Sequence, residues 1–270
     1  MSKKKNEDEL IKEVKEKLSV FNDDKFIFEE EEHIYTYEGK RFISVTTFIE
    51  NFIDVFDEEY WSKKKADERG VDQEVVLNEW AVTRDRACDL GTMVHESIED
   101  FYNGVELKDY NDEEVDERVN KFHEIYEKRL KPLKPIISEL RVFDTEWCIA
   151  GTLDQLYLYK GMLIIGDWKT NKKIKTDKDW SFNMLKYPFQ RYKDNEINKY
   201  SIQISLYALI LKRVTGLDIS YGFICHIPAK GPAEIYKLKD FKKELEMYIN
   251  GLSKKEKEII NKTPQSTNIW

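Results

Sequence analysis

The chain has 270 residues, 44 of them Lys or Arg and 52 Asp or Glu, for a formal charge of −8. Its hydrophobic content of 41% is too high and too periodic for a disordered chain, and no apolar run is long enough to cross a bilayer. An acidic total argues against a protein that coats nucleic acid indiscriminately, although it says nothing about a local site. Cys88, Cys148 and Cys225 are scattered, include no CxxC pair and form no disulfide framework. With no apolar leader after Met1, a reduced, cytoplasmic compartment without membrane contact is expected.

Residues 1–20 read as a charged helix with Leu10, Ile11, Val14 and Leu18 on one face. Residues 25–44 turn to strands, with Ile34, Tyr35 and Tyr37 before a Glu38-Gly39 turn and Arg41-Phe42-Ile43 after it. Ser44 or Thr46 is placed to cap a helix running through Phe48 and Phe52. Helical patterning continues to Gly104, and its best part is an amphipathic helix over 83–102 with Ala87, Leu90, Val94, Ile98 and Phe101 in one stripe. Another helix covers 112–130. Beyond Pro135 come three strands, over 136–143, 151–159 and 162–169, the last two joined by a Lys160-Gly161 turn. A helix over 198–214 is closed by Gly216, and strands near 219–226 and 234–238 and a final helix follow. The pattern predicts one α/β domain with a central mixed β-sheet flanked by helices. Its parts are a helical and hairpin N-terminal region over 1–82, a catalytic core over 83–240, and a C-terminal helix and tail over 241–270.

The segment between Thr170 and Asn198 has no clear period and is far longer than an ordinary connection. It interleaves Lys172, Lys173, Lys175, Lys178, Lys186, Arg191 and Lys193 with Trp180, Phe182, Tyr187, Phe189 and Tyr192. Such a mixture suits stacking on unpaired bases and tracking of phosphates, and suits equally a packing flap with solvated lysines. From Lys169 to Lys193 there are eight Lys and Arg against Asp177 and Asp179, a local balance of +6.

The chemistry concentrates in Gly151-Thr152-Leu153-Asp154 and Ile165-Gly166-Asp167-Trp168-Lys169-Thr170. If these strands form a hairpin about Lys160-Gly161, antiparallel pairing brings Asp154 and Asp167 to one edge of the sheet. Two carboxylates there make a hard-oxygen site for Mg²⁺ or Mn²⁺. Alternation puts Asp167 and Lys169 on one face with Trp168 turned away, leaving the Trp168 carbonyl as a further oxygen ligand. The competing reading of Asp-x-Lys at a strand end is a solvated ion pair.

These residues resemble the PD-(D/E)XK nuclease superfamily, in particular its RecB-like exonuclease branch, which includes phage exonucleases and the mitochondrial genome maintenance exonuclease. Gly91-Thr92-Met93-Val94-His95 is similar to that branch's Gly-x-x-x-His helix. Asp154 and Asp167-Trp168-Lys169 match its catalytic core, and Gln203-Ile204-Ser205-Leu206-Tyr207 its Gln-x-x-x-Tyr helix. The resemblance spans residues 44–211. It implies a restriction-endonuclease-like core and a divalent-metal-dependent deoxyribonuclease, with Asp154, Asp167 and Lys169 catalytic. His95, Asp154, Asp167 and the Trp168 carbonyl are the implied metal ligands, and Glu139 ranks below them. Gln203, Tyr207, Thr170, Lys172, Lys173 and Trp180 are assigned to nucleic-acid binding or support of the site. Hydrolysis is expected to proceed in line, with Lys169 helping to orient the attacking water. DNA that is single-stranded or has free ends is the implied substrate, and exonuclease action the implied mode. The rivals are a structure-specific or nicking endonuclease and an inactive nucleic-acid-binding module. Three cysteines cannot hold an iron–sulfur cluster of the kind some relatives carry, and no GxxxxGK[ST] is present to bind ATP. A protein partner in replication, recombination or repair, and a bacterial or phage-infected cell, complete the expectation. Glu96 is expected to be solvated, and His33, His123 and His226 to be structural.

Overall fold

The computed structural model describes residues 6–30, 32–253 and 256, so most of the predicted C-terminal tail lies outside the described residues. Helix α1 (Glu7–Leu18) turns Val14 and Leu18 inward and leads to the meander β1 (Phe26–Glu29), β2 (Ile34–Tyr37) and β3 (Lys40–Ser44). Ser44 caps α2 (Val45–Ile49), its hydroxyl accepting from the Thr47 amide at 3.0 Å. Helices α3 (Glu58–Arg69) and α4 (Gln73–Asn103) follow. The expected start of α4 at residue 83 is too late by ten residues, and Ala87, placed in its apolar stripe, is exposed. The early half of α4 is held by α3 instead: Val76 is buried, and Arg69 grips Glu79 through two bonds of 2.6 and 2.8 Å. The buried stripe of the later half is Leu90, Val94, Ser97 and Ile98.

Helix α5 (Glu113–Ile125) ends in a π-turn that reaches Leu130. Strands β4 (Lys134–Asp144), β5 (Ile149–Tyr159) and β6 (Met162–Lys169) come next. The β5–β6 turn has φ of 51° at Lys160 and 79° at Gly161, the pair of positive values a two-residue hairpin turn demands. Helix α6 (Glu196–Thr215) is buried over most of its length, and β7 (Ile219–His226), β8 (Glu234–Lys237) and α7 (Lys242–Gly251) complete the order.

The strands form one mixed sheet in the order β1-β2-β3-β5-β6-β7-β8, with β4 paired to β5. The β3–β5 and β6–β7 contacts are parallel and the rest antiparallel. Helices flank both faces. One core joins α1, α2, α6 and α7 to the sheet, and the other packs α4 and α5 over Tyr157, Ile164, Trp168 and Phe223. Among the described residues no helix is long and apolar enough to cross a membrane.

One detail of the topology matters most. On one edge of β5, β3 pairs with Ile149 and Ala150, and β6 pairs from Gln155 to Tyr159. Of the residues between them, 151–153 pair only with β4, and Asp154 has no ladder partner on either side. The sheet therefore splits beside Asp154.

Candidate functional site

The last β5–β6 pair is Gln155 with Gly166, so the same register carried one step further sets Asp154 beside Asp167. The strands part there instead. The Trp168 amide, left without a ladder partner on β5, donates to Asp154 Oδ2 at 2.7 Å. Asp154 and Asp167 are both buried, 8% and 1% exposed. Lys169 Nζ lies 2.6 Å from Asp167 Oδ2 and 4.9 Å above the Tyr200 ring. On the opposite face Trp168 stacks near Tyr102 and meets the edge of Phe122, as strand alternation predicts. From α6, Gln203 Nε2 approaches Asp167 Oδ1 at 3.5 Å, a weak contact. Tyr207 packs so tightly on β5 that a Cβ at Gly151 would sit 2.8 Å from its Cε1, which explains glycine at that position.

His95, on the buried half of α4, lies with Nε2 3.0 Å from the Trp168 carbonyl and Nδ1 3.5 Å from Asp154 Oδ2. A carbonyl only accepts, so Nε2 carries the hydrogen and Nδ1 presents its lone pair toward Asp154. The Trp168 carbonyl, expected to face a cation directly, is thus engaged by the imidazole. Such a bond is typical support for a ligating histidine.

Glu139, ranked below the other candidates in the sequence, is brought beside them by the fold. The β4–β5 ladder pairs Ser138 with Gln155 and Leu140 with Leu153, but skips Glu139, whose φ is +46°. A left-handed glutamate inside a strand is strained by about 1–3 kcal/mol and persists only where its surroundings hold it. Ligand atoms of Glu139, His95 and Asp154 all lie within 4.8 Å of one another. No periodicity signals a single residue turned out of its strand.

The electrostatics of the cluster follow from burial. Burial raises the Glu139 carboxyl to about 9, and the neighbouring Asp154 and Glu99 charges add to the rise. Burial also lifts Asp154 to about 6, opposed by Lys169 and the Trp168 amide. Asp167 is lifted to about 6 by burial and by Asp154, and Lys169 opposes this. Burial pushes Lys169 down, but Asp167 and Asp154 outweigh it and hold the ammonium above its ordinary range. His95 falls to about 4 through burial and the Lys169 charge, so its ring is neutral at pH 7. Asp167 Oδ2 accepts no aligned hydrogen bond despite its ion pair. Crowded, buried carboxyls beside a neutral imidazole are the donor set a divalent cation such as Mg²⁺ or Mn²⁺ takes.

The remaining candidates are more dispersed. Thr170 follows the end of β6 and lies against α4, where a Cβ on Gly91 would be 3.5 Å from its hydroxyl. Lys172 is exposed, and Lys173 is paired with Asp179 at 2.6 Å. Trp180 and Phe182 are 75% and 79% exposed and meet edge to face. The long connection is no free flap: Ile174, Leu185 and Phe189 are buried, and the Lys186 amide and ammonium bond the Phe52 and Ile53 carbonyls, each at 2.7 Å.

The expected local charge of +6 is correspondingly diluted. Lys169, Lys173, Lys186 and Arg191 pair with Asp167, Asp179, Asp54 and Glu244, and Lys193 donates to two carbonyls. Among the described residues Lys172, Lys175 and Lys178 form no ion pair. Glu96, expected to be solvated, has a side chain 44% exposed and also accepts from the Tyr110 hydroxyl and lies 3.6 Å from Lys108. His226 bonds the Asn171 carbonyl and His123 packs on Phe101, both structural roles. All three cysteines are free.

No family model and no curated protein matches this chain. Among solved structures, a protein from Eubacterium rectale provisionally named an exonuclease is similar with a TM-score of 0.42 and 14% identity, covering 66% of this chain and 69% of that one. A structure named SSO0001 is similar with a TM-score of 0.36 and 12% identity, covering 95% of this chain and 87% of that one. At these scores neither likeness bears on activity.

Proposed function

We propose that this protein is a divalent-metal-dependent deoxyribonuclease of the PD-(D/E)XK, RecB-like kind, an exonuclease acting on single-stranded DNA or DNA ends. The observation that carries the reading is the meeting of His95, Asp154, Asp167 and Lys169 at the split between β5 and β6, four residues from three elements (α4, β5 and β6) that otherwise pack as plain core. His95, Glu139, Asp154 and Asp167 would hold the cation. Bound there, it supplies Lewis-acid polarisation of a phosphoryl oxygen and lowers the pKa of water. The chain does the rest. Asp167 and Asp154 keep Lys169 protonated, so that its ammonium offers hydrogen bonds to a phosphoryl oxygen or to the attacking water. Tyr200 beneath Lys169 and Gln203 beside Asp167 limit where those groups can move. Trp180 and Phe182 offer exposed faces on which unpaired bases stack, with Lys172, Lys175 and Lys178 free for phosphates.

The test is cleavage of end-labelled linear and of circular single-stranded DNA, with Mg²⁺, Mn²⁺ or excess EDTA. Linear DNA is expected to be degraded, circles to survive, and EDTA or Asp154→Asn to stop the reaction. Nicked circles would replace the exonuclease with an endonuclease at the same site. Activity that persists in EDTA, or in Asp154→Asn, rules out the metal mechanism altogether.

A further inference from the structure

The β1–β2 hairpin brings side chains to the split that the proposed reaction leaves unused. Tyr35 is buried, and its hydroxyl meets Thr152 Oγ1 at 3.3 Å and His33 Nε2 at 3.5 Å. Phe28 stacks on Tyr35 with ring centres 4.5 Å apart, and the Arg141 guanidinium rests 5.1 Å from the centre of the Phe28 ring. Arg141 and Thr152 are direct partners across the β4–β5 ladder. Two residues further along the same strands lie Glu139 and Asp154, both members of the candidate metal cluster.

Two residues of strand advance roughly 6.8 Å. That is comparable with the separation of successive phosphates in an extended nucleic-acid strand. Arg141 is exposed and forms no ion pair among the described residues, although it is near enough to Glu139 and Glu99 to draw their carboxyls down. A guanidinium lying on an aromatic ring keeps its N–H edges free and fixes their direction, which suits bidentate binding of phosphate. Tyr35, locked between Thr152 and His33, supports Phe28 from behind.

We propose that Arg141, seated on Phe28, binds the phosphodiester next to the one being cleaved, in the same strand. The assignment rests on the nuclease reading above and deepens it: the substrate extends at least one nucleotide past the scissile bond on the β1–β2 side. Arg141 positions the strand and takes no part in the bond-breaking step.

The experiment uses the full chain with Mn²⁺ and single-stranded oligonucleotides that carry one neutral methylphosphonate linkage at successive places around a mapped cleavage point. With the unaltered chain, a neutral linkage beside the cleaved bond is expected to raise KM about tenfold or more, the scale of a charge-assisted hydrogen bond. Arg141→Gln is expected to raise KM as much on ordinary DNA, and to add no further penalty when that linkage is neutral. Its kcat, Mn²⁺ half-saturation and Tm should stay near those of the unaltered chain, and Arg141→Lys should fall between the two. An unchanged KM in Arg141→Gln overturns the assignment, as does a penalty that adds in full to that of the neutral linkage. A change confined to Mn²⁺ half-saturation does so too, since Arg141 would then only tune the cluster. No cleavage by the unaltered chain in any divalent metal removes the nuclease reading and this assignment with it, a result distinct from cleavage indifferent to Arg141.

Discussion

Glu139 carries the most accessible pH signature in the cluster. Its carboxyl stands at about 9 in the folded protein, raised by burial and by Asp154, against about 4.3 for an unfolded glutamate. A carboxyl raised on folding stabilises the protein while protonated, so its contribution is complete below about pH 4 and is lost as pH climbs through 9. Asp154 and Asp167, at about 6, act in the same direction over a shorter range. His95, lowered to about 4, acts oppositely between about pH 4 and 6.5. Above pH 7, Glu139 is the member of the cluster still titrating. Thermal melts in EDTA are therefore expected to show Tm falling by several degrees between pH 7 and 9, with Glu139→Gln flattening that slope. An identical slope in the variant would refute the raised carboxyl. At this scale Asp154, Asp167 and Lys169 were readable, because a hairpin turn and strand alternation fix where such residues go. The left-handed turn of Glu139 was not, since no residue preference favours glutamate there.

Among the elements, the tight seam between α6 and β5 and the long connection before α6 behave differently under substitution. At Gly151 a Cβ would meet Tyr207 Cε1 at 2.8 Å and Val45 Cγ2 at 3.2 Å, both on packed helices. Gly151→Ala is expected to cost about 1–3 kcal/mol in urea unfolding through overpacking. A loss near zero would mean the seam relaxes freely. The connection is the reverse case, because Trp180 and Phe182 are exposed and bury little. Trp180→Ala combined with Phe182→Ala should leave Tm within about a degree, as surface changes usually do. It should raise KM for single-stranded DNA about tenfold or more, the scale of one lost base stack. A duplex with blunt ends should respond less, and equal loss on both substrates would argue against stacking. Strand and helix order was legible from periodicity and turn residues, down to the cap at Ser44 and the Lys160-Gly161 turn. The early half of α4 was read as helical but not as one helix with the later half, because it is held by α3 beside it and not by a stripe of its own.

For the molecule as a whole, a cation that binds only the folded state must stabilise it. At a free concentration one hundred times its Kd, Mn²⁺ should add about 2.7 kcal/mol, visible as a rise in Tm that Asp154→Asn greatly reduces. No shift with Mg²⁺ or Mn²⁺ at millimolar concentration would count against the cluster as a metal site. The formal charge of −8 fits this picture. Part of it lies in carboxyls that crowd one another in a cluster with metal-ligand spacing, while much of the basic connection is spent on internal ion pairs. Sequence alone determined the mixed sheet, the hairpin that aligns Asp154 with Asp167, and the side of β6 on which Lys169 lies. Local rules settle those features: a two-residue turn fixes register, and register fixes faces. Tertiary structure alone decided that the sheet opens at Asp154, that Glu139 turns toward His95, and that the β1–β2 hairpin seats Arg141, two residues along β4 from Glu139, on the Phe28 ring. Each of those depends on contacts between segments distant in the chain: β3 and β6 share one side of β5, α4 brings His95 to Glu139, and β1 brings Phe28 to Arg141.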